Sequence, residues 1–68
     1  MAKFSEILNK IMKEKNLTTK QLSSLTKISQ GQIRNWQNDK SKPRINNIKK
    51  LCIALKIRAD VILGIKEL

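Results

Sequence analysis

Two helix-start signals lie only eleven residues apart in this chain, and that spacing restricts its fold more than any other feature. Thr18 with Gln21, and Ser29 with Gln32, fit the capping box, in which a hydroxyl residue begins a helix and Glu or Gln follows three residues later. Two such starts are hard to place on one continuous helix. The spacing therefore predicts two short helices over about residues 18–38, joined by a tight turn.

Each of these two predicted helices has apolar residues on one face. Residues three or four apart share a face of a helix. Leu22 and Leu25, with the semi-polar Thr26, give the first helix such a seam, and Ile33 with Trp36 gives one to the second. Two short amphipathic helices in succession form a helix-turn-helix.

The outer side of the second predicted helix carries amide and guanidinium side chains. Such side chains make bidentate hydrogen bonds to adenine and guanine edges in the major groove, and a glycine allows close approach. A simple solvated face is the common alternative. However, the chain has no acid between Glu14 and Asp39, whereas an ordinary exposed face carries Glu as well as Lys. We therefore predict base reading by Gln30, Gly31, Gln32, Arg34 and Asn35.

The chain is short and strongly basic. Its 68 residues, 40% of them apolar, fit a single domain over residues 1–68 with no room for a second catalytic or sensing domain. Fifteen Lys and Arg against five acids give a net charge of +10. Between Lys15 and Arg58, eleven basic residues are accompanied by a single acid, Asp39. A positive surface of this kind attracts polyanions.

Composition also argues against several kinds of chemistry. The chain has no histidine and a lone cysteine, Cys52, so we expect no metal site, cofactor or intramolecular disulfide. No apolar run approaches the ~18 residues of a membrane span, and the charged N-terminal stretch is unlike a signal peptide. We expect a cytoplasmic protein with no membrane partner and no small-molecule ligand. An enzyme is not expected either, because the acids are scattered: Glu6, Glu14, Asp39, Asp60 and Glu67.

Helical periodicity extends over most of the remaining chain. A helix is predicted from about Lys3 to Lys15, with an inward stripe of Phe4, Ile7, Leu8, Ile11 and Met12. A basic amphipathic helix can also bind a membrane surface, but the helices that follow can cover this stripe. A further helix from Ile45 has the stripe Ile45, Ile48, Leu51, Cys52 and Leu55, and a short one spans Ala59 to Leu63, ending at Gly64. We expect an all-α domain of five helices.

The loop after Asn38 is polar and basic, and contains Pro43. Its position after the predicted reading helix favours contacts with the DNA backbone over a merely solvated loop. The C-terminal region has the opposite character. Ile57, Val61, Ile62, Leu63, Ile65 and Leu68 are more apolar residues than a short helix can bury, which suggests a dimer contact. We place that contact at Ile57, Arg58, Ile62 and Ile65.

The pattern from about Phe4 to Gly64 resembles the phage-repressor helix-turn-helix domains, the lambda repressor and Cro-like (XRE-type) family. The most specific part is Leu17 to Ser23, followed by Ile28-Ser29, Ile33, Trp36 and Pro43. The resemblance implies a five-helix domain that binds double-stranded DNA as a homodimer, with the second motif helix in the major groove. It also implies phosphate contacts from Thr19, Asn38, Lys40 and Lys42, to which we add Lys20 and Arg44.

The chain departs from the family pattern at three places. Lys27 stands where the family usually has a glycine with positive φ, at a cost of ~1 kcal/mol unless the turn is reshaped. Thr19 replaces a glutamine that grips a phosphate. Met12 and Gln37 occupy the positions of a buried Arg–Glu ion pair. We expect Met12 to pack against the aliphatic stem of Gln37.

These features predict a transcription regulator that represses by occupying its operator. A DNA-binding antitoxin with a protein partner, and an interaction module that kept the fold but not the DNA site, are the alternatives.

Overall fold

The computed structural model describes residues 3–65, and these residues fold into five α-helices with no strand among them. The expected all-α fold with five helices is confirmed. Within the described residues no helix has the length and apolar character needed to cross a bilayer. The helices are α1 (Phe4–Glu14), α2 (Thr19–Thr26), α3 (Gln30–Gln37), α4 (Ile45–Leu55) and α5 (Ala59–Ile62).

One hydrophobic core joins all five helices. Helix α1 packs on α3 and α5, α2 packs on α3 and α4, and α4 packs on α5. The Phe4 and Trp36 rings meet edge to face, with centroids 6.3 Å apart, a favoured aromatic geometry. The core residues are Ile7, Leu8, Ile11, Met12, Leu22, Ile28, Ile33, Trp36, Ile48, Leu51, Leu55 and Ile62.

Two residues assigned to inward stripes are exposed instead. Leu25 is 58% exposed and Ile45 is 63% exposed. In α2 the inward face is set by Leu22 and Thr26, four residues apart, which turns Leu25 outward. Thr26 tolerates burial because the backbone satisfies its hydroxyl. In α4 the buried stripe begins at Ile48, one turn after Ile45.

The helix-turn-helix has one complete capping box and one partial one. The Thr18 hydroxyl accepts a hydrogen bond from the Gln21 backbone N–H at 3.1 Å, and the Gln21 amide oxygen accepts one from the Thr18 N–H at 2.9 Å. The Ser29 hydroxyl accepts from the Gln32 N–H at 3.2 Å. The reciprocal bond from Gln32 is absent among the described contacts, so the second capping box was only half right.

The turn between α2 and α3 is held by two side-chain hydroxyls. Lys27 has left-handed backbone geometry, with φ 64°, as expected for a position that usually carries glycine. The Thr26 hydroxyl donates to the Leu22 carbonyl at 2.8 Å and accepts from the Ile28 N–H at 3.2 Å. The Ser23 hydroxyl donates to the Ile28 carbonyl. These bonds fix the backbone at Ile28, whose side chain is buried in the core. They offset part of the conformational free energy that left-handed geometry costs at Lys27.

Left-handed residues also end the other helices. Asn16, Asp39 and Lys56 have positive φ, as does Gly64 at 78°. At the end of α5 the Ile65 N–H bonds the Asp60 carbonyl and the Gly64 N–H bonds the Val61 carbonyl, the Schellman pattern. The expected cap at Gly64 is confirmed, whereas α5 ends at Ile62 and not at Leu63.

The C-terminal apolar residues are partly used within the monomer. Ile62 is 0% exposed and belongs to the core, so its assignment to a dimer contact is wrong: α5 turns it toward α1 and α4. Ile57 is half-buried and packs against the core, whereas Arg58 and Ile65 are exposed. Leu68 lies outside the described residues. The apolar excess is therefore smaller than the sequence indicated.

Candidate nucleic-acid interface

The rotation of α3 is fixed by its two buried residues. Ile33 and Trp36 lie in the core, as predicted. Their burial turns the opposite side of the helix to solvent. Four of the five predicted base-reading residues are exposed there and the fifth, Gln30, is half-buried: Gln30, Gly31, Gln32, Arg34 and Asn35.

Two of these side chains are already paired. The Arg34 guanidinium donates a hydrogen bond from Nη2 to Gln30 Oε1 at 3.1 Å, one helical turn away. The bond occupies one acceptor site of the Gln30 amide and leaves its N–H₂ donors, together with the other guanidinium N–H groups, for other partners. The pair is therefore a set of hydrogen-bond donors held on one face of α3.

Gly31 lies in the first turn of α3 with open space around it. A Cβ built at this position would meet no atom within 4 Å. Packing therefore does not require glycine here, although glycine weakens a helix by ~1 kcal/mol relative to alanine. An approaching ligand surface is a physical reason for the missing side chain.

Basic residues precede and follow α3 in the chain. The predicted phosphate contacts Lys20, Asn38, Lys40, Lys42 and Arg44 are all exposed. None of the four cations in this set forms an ion pair with another described residue. The acid closest to α3 in sequence, Asp39, lies 3.4 Å from Lys3 Nζ. The flanks thus carry unpaired positive charge, while their one carboxylate is paired.

Thr19 differs from the other predicted phosphate contacts. Its side chain is half-buried, and its hydroxyl donates to Gln37 Oε1 at 3.0 Å. A hydroxyl has a single hydrogen to donate, so in this arrangement a phosphate cannot receive it. Thr19 retains its backbone N–H, which is one of the first in α2 and has no partner within the helix.

Gln37 connects three helices through its side chain and backbone. Its Nε2 donates to Met12 Sδ at 3.4 Å, its Oε1 accepts from Thr19, and its carbonyl accepts from Asn9 Nδ2 at 3.1 Å. The predicted contact between Met12 and Gln37 is confirmed, and it includes a hydrogen bond from the amide to the sulfur that was not predicted. The roles of Thr19 and Asn9 were missed, because short polar side chains carry no periodic signal.

Cys52 lies apart from this surface, on α4. It is half-buried, and burial raises the pKa of its thiol, which keeps the thiol protonated and inert.

One of three comparisons with known proteins identifies a family. Residues 7–66 match the sequence model of the Cro/C1-type HTH DNA-binding domain. Neither the comparison with curated proteins nor the comparison with solved structures gives a match.

Proposed function

The chain belongs to the Cro/C1-type helix-turn-helix DNA-binding domains, and from that premise we propose that it is a sequence-specific repressor of transcription. It binds double-stranded DNA at an operator in the cytoplasm and acts by occupying that site, without catalysis and without a small-molecule ligand. The observation that carries this proposal is the outward face of α3. That face is anchored by two buried residues, carries a prearranged donor pair and contains no acid.

Base reading is assigned to α3 lying in the major groove. Arg34 and Gln30 are the principal readers, assisted by Gln32 and Asn35 on the same exposed side. Because the Arg34–Gln30 pair presents mainly donors, it fits best a base edge with two acceptors, as guanine has at N7 and O6. Gly31 removes a side chain that would hold the helix backbone away from the bases.

Affinity is assigned to the charged flanks of α3. Lys40, Lys42 and Arg44 follow α3, and Lys20 lies in the first turn of the preceding helix α2; a duplex seated on α3 meets these exposed cations. Asn38 contributes a neutral hydrogen bond. Thr19 contacts a phosphate through its backbone N–H, since the first amides of a helix favour anions. These contacts position the protein and are insensitive to sequence.

A homodimer on a two-fold symmetric operator completes the proposal. The contact uses Ile57, Arg58 and Ile65, without Ile62. Arg58 Nη2 lies 3.4 Å from Asp60 Oδ2, so the cation within this surface is compensated by a neighbouring carboxylate. Two copies of a chain with net charge +10 associate more readily through such a surface.

Alanine variants of Arg34 and Lys40 test whether α3 reads bases while the basic residues around it contact phosphates. Arg34→Ala should weaken binding to the preferred site by roughly 1–3 kcal/mol and leave binding to random duplex little changed. Lys40→Ala should weaken both about equally and reduce the slope of log K against log salt by about 1. The measurement is fluorescence anisotropy on both duplexes across a salt series.

A matched control is Lys13→Ala, which removes a lysine from the outer side of α1. It should change affinity far less than Lys40→Ala. Equal losses for Arg34→Ala and Lys40→Ala on both kinds of DNA would contradict the assignment of base reading to α3.

A further inference from the structure

The side of α4 that points to solvent carries two exposed isoleucines. Ile45, Lys49 and Ile53 follow one another at intervals of four residues, which places them in a row along the helix. Ile45 is 63% exposed and Ile53 is 78% exposed. Lys50 and Asn46 lie beside this row. We refer to these five residues as the α4 outer face.

No described element covers this face. The inner stripe of α4, Ile48, Leu51 and Leu55, is buried in the core. Within residues 3–65, the backbone of α4 lies closest to α2 and α5. Single exposed apolar residues are common on protein surfaces. Two isoleucines in one row, separated by the aliphatic stem of a lysine, form a continuous apolar strip instead.

The strip is positively charged along its length. Helix α4 contains no acid, and Lys49 and Lys50 lie on the outer face, with Lys56 directly after the helix. None of these lysines forms an ion pair among the described residues. A complementary surface must therefore supply apolar side chains at the isoleucines and negative charge between and beside them.

We propose that the α4 outer face binds an acidic amphipathic segment of another protein. The segment places apolar side chains on Ile45 and Ile53 and carboxylates against Lys49 and Lys50. Helix α4 has 11 residues, a length of about 16 Å, so a partner helix of three turns spans the row. This binding does not depend on DNA reading by α3.

Charge separates this occupant from the alternatives. A second copy docked symmetrically would bring the lysines of one α4 against those of the other. DNA would neutralise the lysines but leave the isoleucines in a polar surrounding. An anionic membrane surface satisfies both groups, yet interfacial helices have a broad apolar face with large side chains, which two isoleucines do not make.

The test begins with a displayed library of random peptides of about 15 residues, selected on the full chain. The enriched peptides should contain Asp or Glu together with apolar residues at helical spacing. Their affinity should fall by about tenfold in Ile53→Gln and recover in Ile53→Leu. Lys49→Gln should weaken binding more than Lys13→Gln, which removes a lysine from α1. Circular dichroism checks that each variant is folded.

The Arg34→Ala variant separates this face from the DNA surface. The peptide should bind equally to wild-type and Arg34→Ala protein, whereas Arg34→Ala should lose the preference for the selected duplex. The proposal is overturned if no acidic amphipathic peptide is enriched, if Ile53→Gln binds the peptides as well as the wild type, or if Arg34→Ala weakens peptide binding as much as Ile53→Gln. Binding to vesicles containing anionic phospholipid that is lost in Ile53→Gln, with no peptide enrichment, would assign the face to a membrane surface.

Discussion

At the residue scale, substitution of Gly31 should change the stability of the fold and the affinity for DNA in opposite directions. Because a Cβ would meet no neighbour at this position, Gly31→Ala should stabilise the fold by roughly 0.5–1 kcal/mol. The added methyl group should weaken binding to the preferred duplex, since it projects from the face assigned to the bases. Thermal unfolding measures the first effect, and anisotropy on the preferred duplex measures the second.

A control for helix propensity is Ser24→Ala, at an exposed position in α2. It should stabilise the fold modestly without a loss of DNA affinity. If Gly31→Ala were more stable and bound DNA as tightly as the wild type, the open space at Gly31 would not be a place where the helix meets DNA.

Several features at this scale were predictable and several were not. The left-handed geometry of Lys27 was predictable from the family resemblance, because the family usually has glycine with positive φ at this position. The left-handed geometry of Asn16, Asp39 and Lys56 was not predicted; Asn and Asp adopt positive φ more readily than most residues, but lysine gives no such signal. Such conformations are imposed by the packing of the helices on either side of them.

At the scale of elements, the Gln37 side chain holds α1, α2 and α3 together, and its charge state matters. Gln37→Glu removes the N–H₂ donor to Met12 and places a carboxylate beside a buried thioether. We expect a loss of roughly 1–3 kcal/mol of unfolding free energy at neutral pH. Denaturant unfolding of both proteins measures this difference.

The loss should depend on pH in a defined direction. A carboxylate that is disfavoured in the folded state destabilises it only while ionised, so the difference from the wild type should shrink as the pH falls and the carboxyl is protonated. Gln37→Met, which introduces no charge, should show no such change with pH. A Gln37→Glu variant as stable as the wild type at neutral pH would contradict the network.

The two helix starts of the motif should differ in strength. Thr18 has the complete capping box, whereas Ser29 makes only the bond to the Gln32 N–H. Gln21→Ala should therefore cost more stability than Gln32→Ala, the former losing a hydrogen bond and the latter none. Thr18→Ala and Ser29→Ala should each cost about 1 kcal/mol. Thermal melts that rank Gln32→Ala as the more damaging of the two glutamine variants would contradict this order.

The positions of the helices in the chain were predictable from capping signals and periodicity. The face that each helix turns toward the core was predictable for only some of them. The spacing of Leu22 and Leu25 defines a possible seam, but burying Thr26 in place of Leu25 depends on hydroxyl bonds that periodicity cannot represent. The exposure of Ile45 and the burial of Ile62 likewise depend on packing between helices, which periodicity does not represent. The positions of the helices were therefore predictable from the sequence, whereas tertiary packing determines which of their apolar residues are buried.

At the scale of the whole molecule, charge and fold together favour a DNA-binding regulator. The net charge of +10 was readable directly from composition. The arrangement of that charge, with exposed cations before and after α3 and lysines on the outer face of α4, required the fold. The candidate base-reading side chains were predicted as a set, because they occupy the positions that Ile33 and Trp36 leave exposed. The hydrogen bond between Arg34 and Gln30 was not predicted.

The central claim is that α3 reads base sequence, and selection from a random pool of duplex DNA near physiological salt tests it most directly. If α3 reads bases in a dimer, the selection should enrich an inverted repeat with half-sites centred about one helical turn apart. The same selection with Arg34→Ala should lose the preference at the position that Arg34 reads. Salt-sensitive binding with no enriched sequence would show that the positive surface binds DNA but that α3 does not read it.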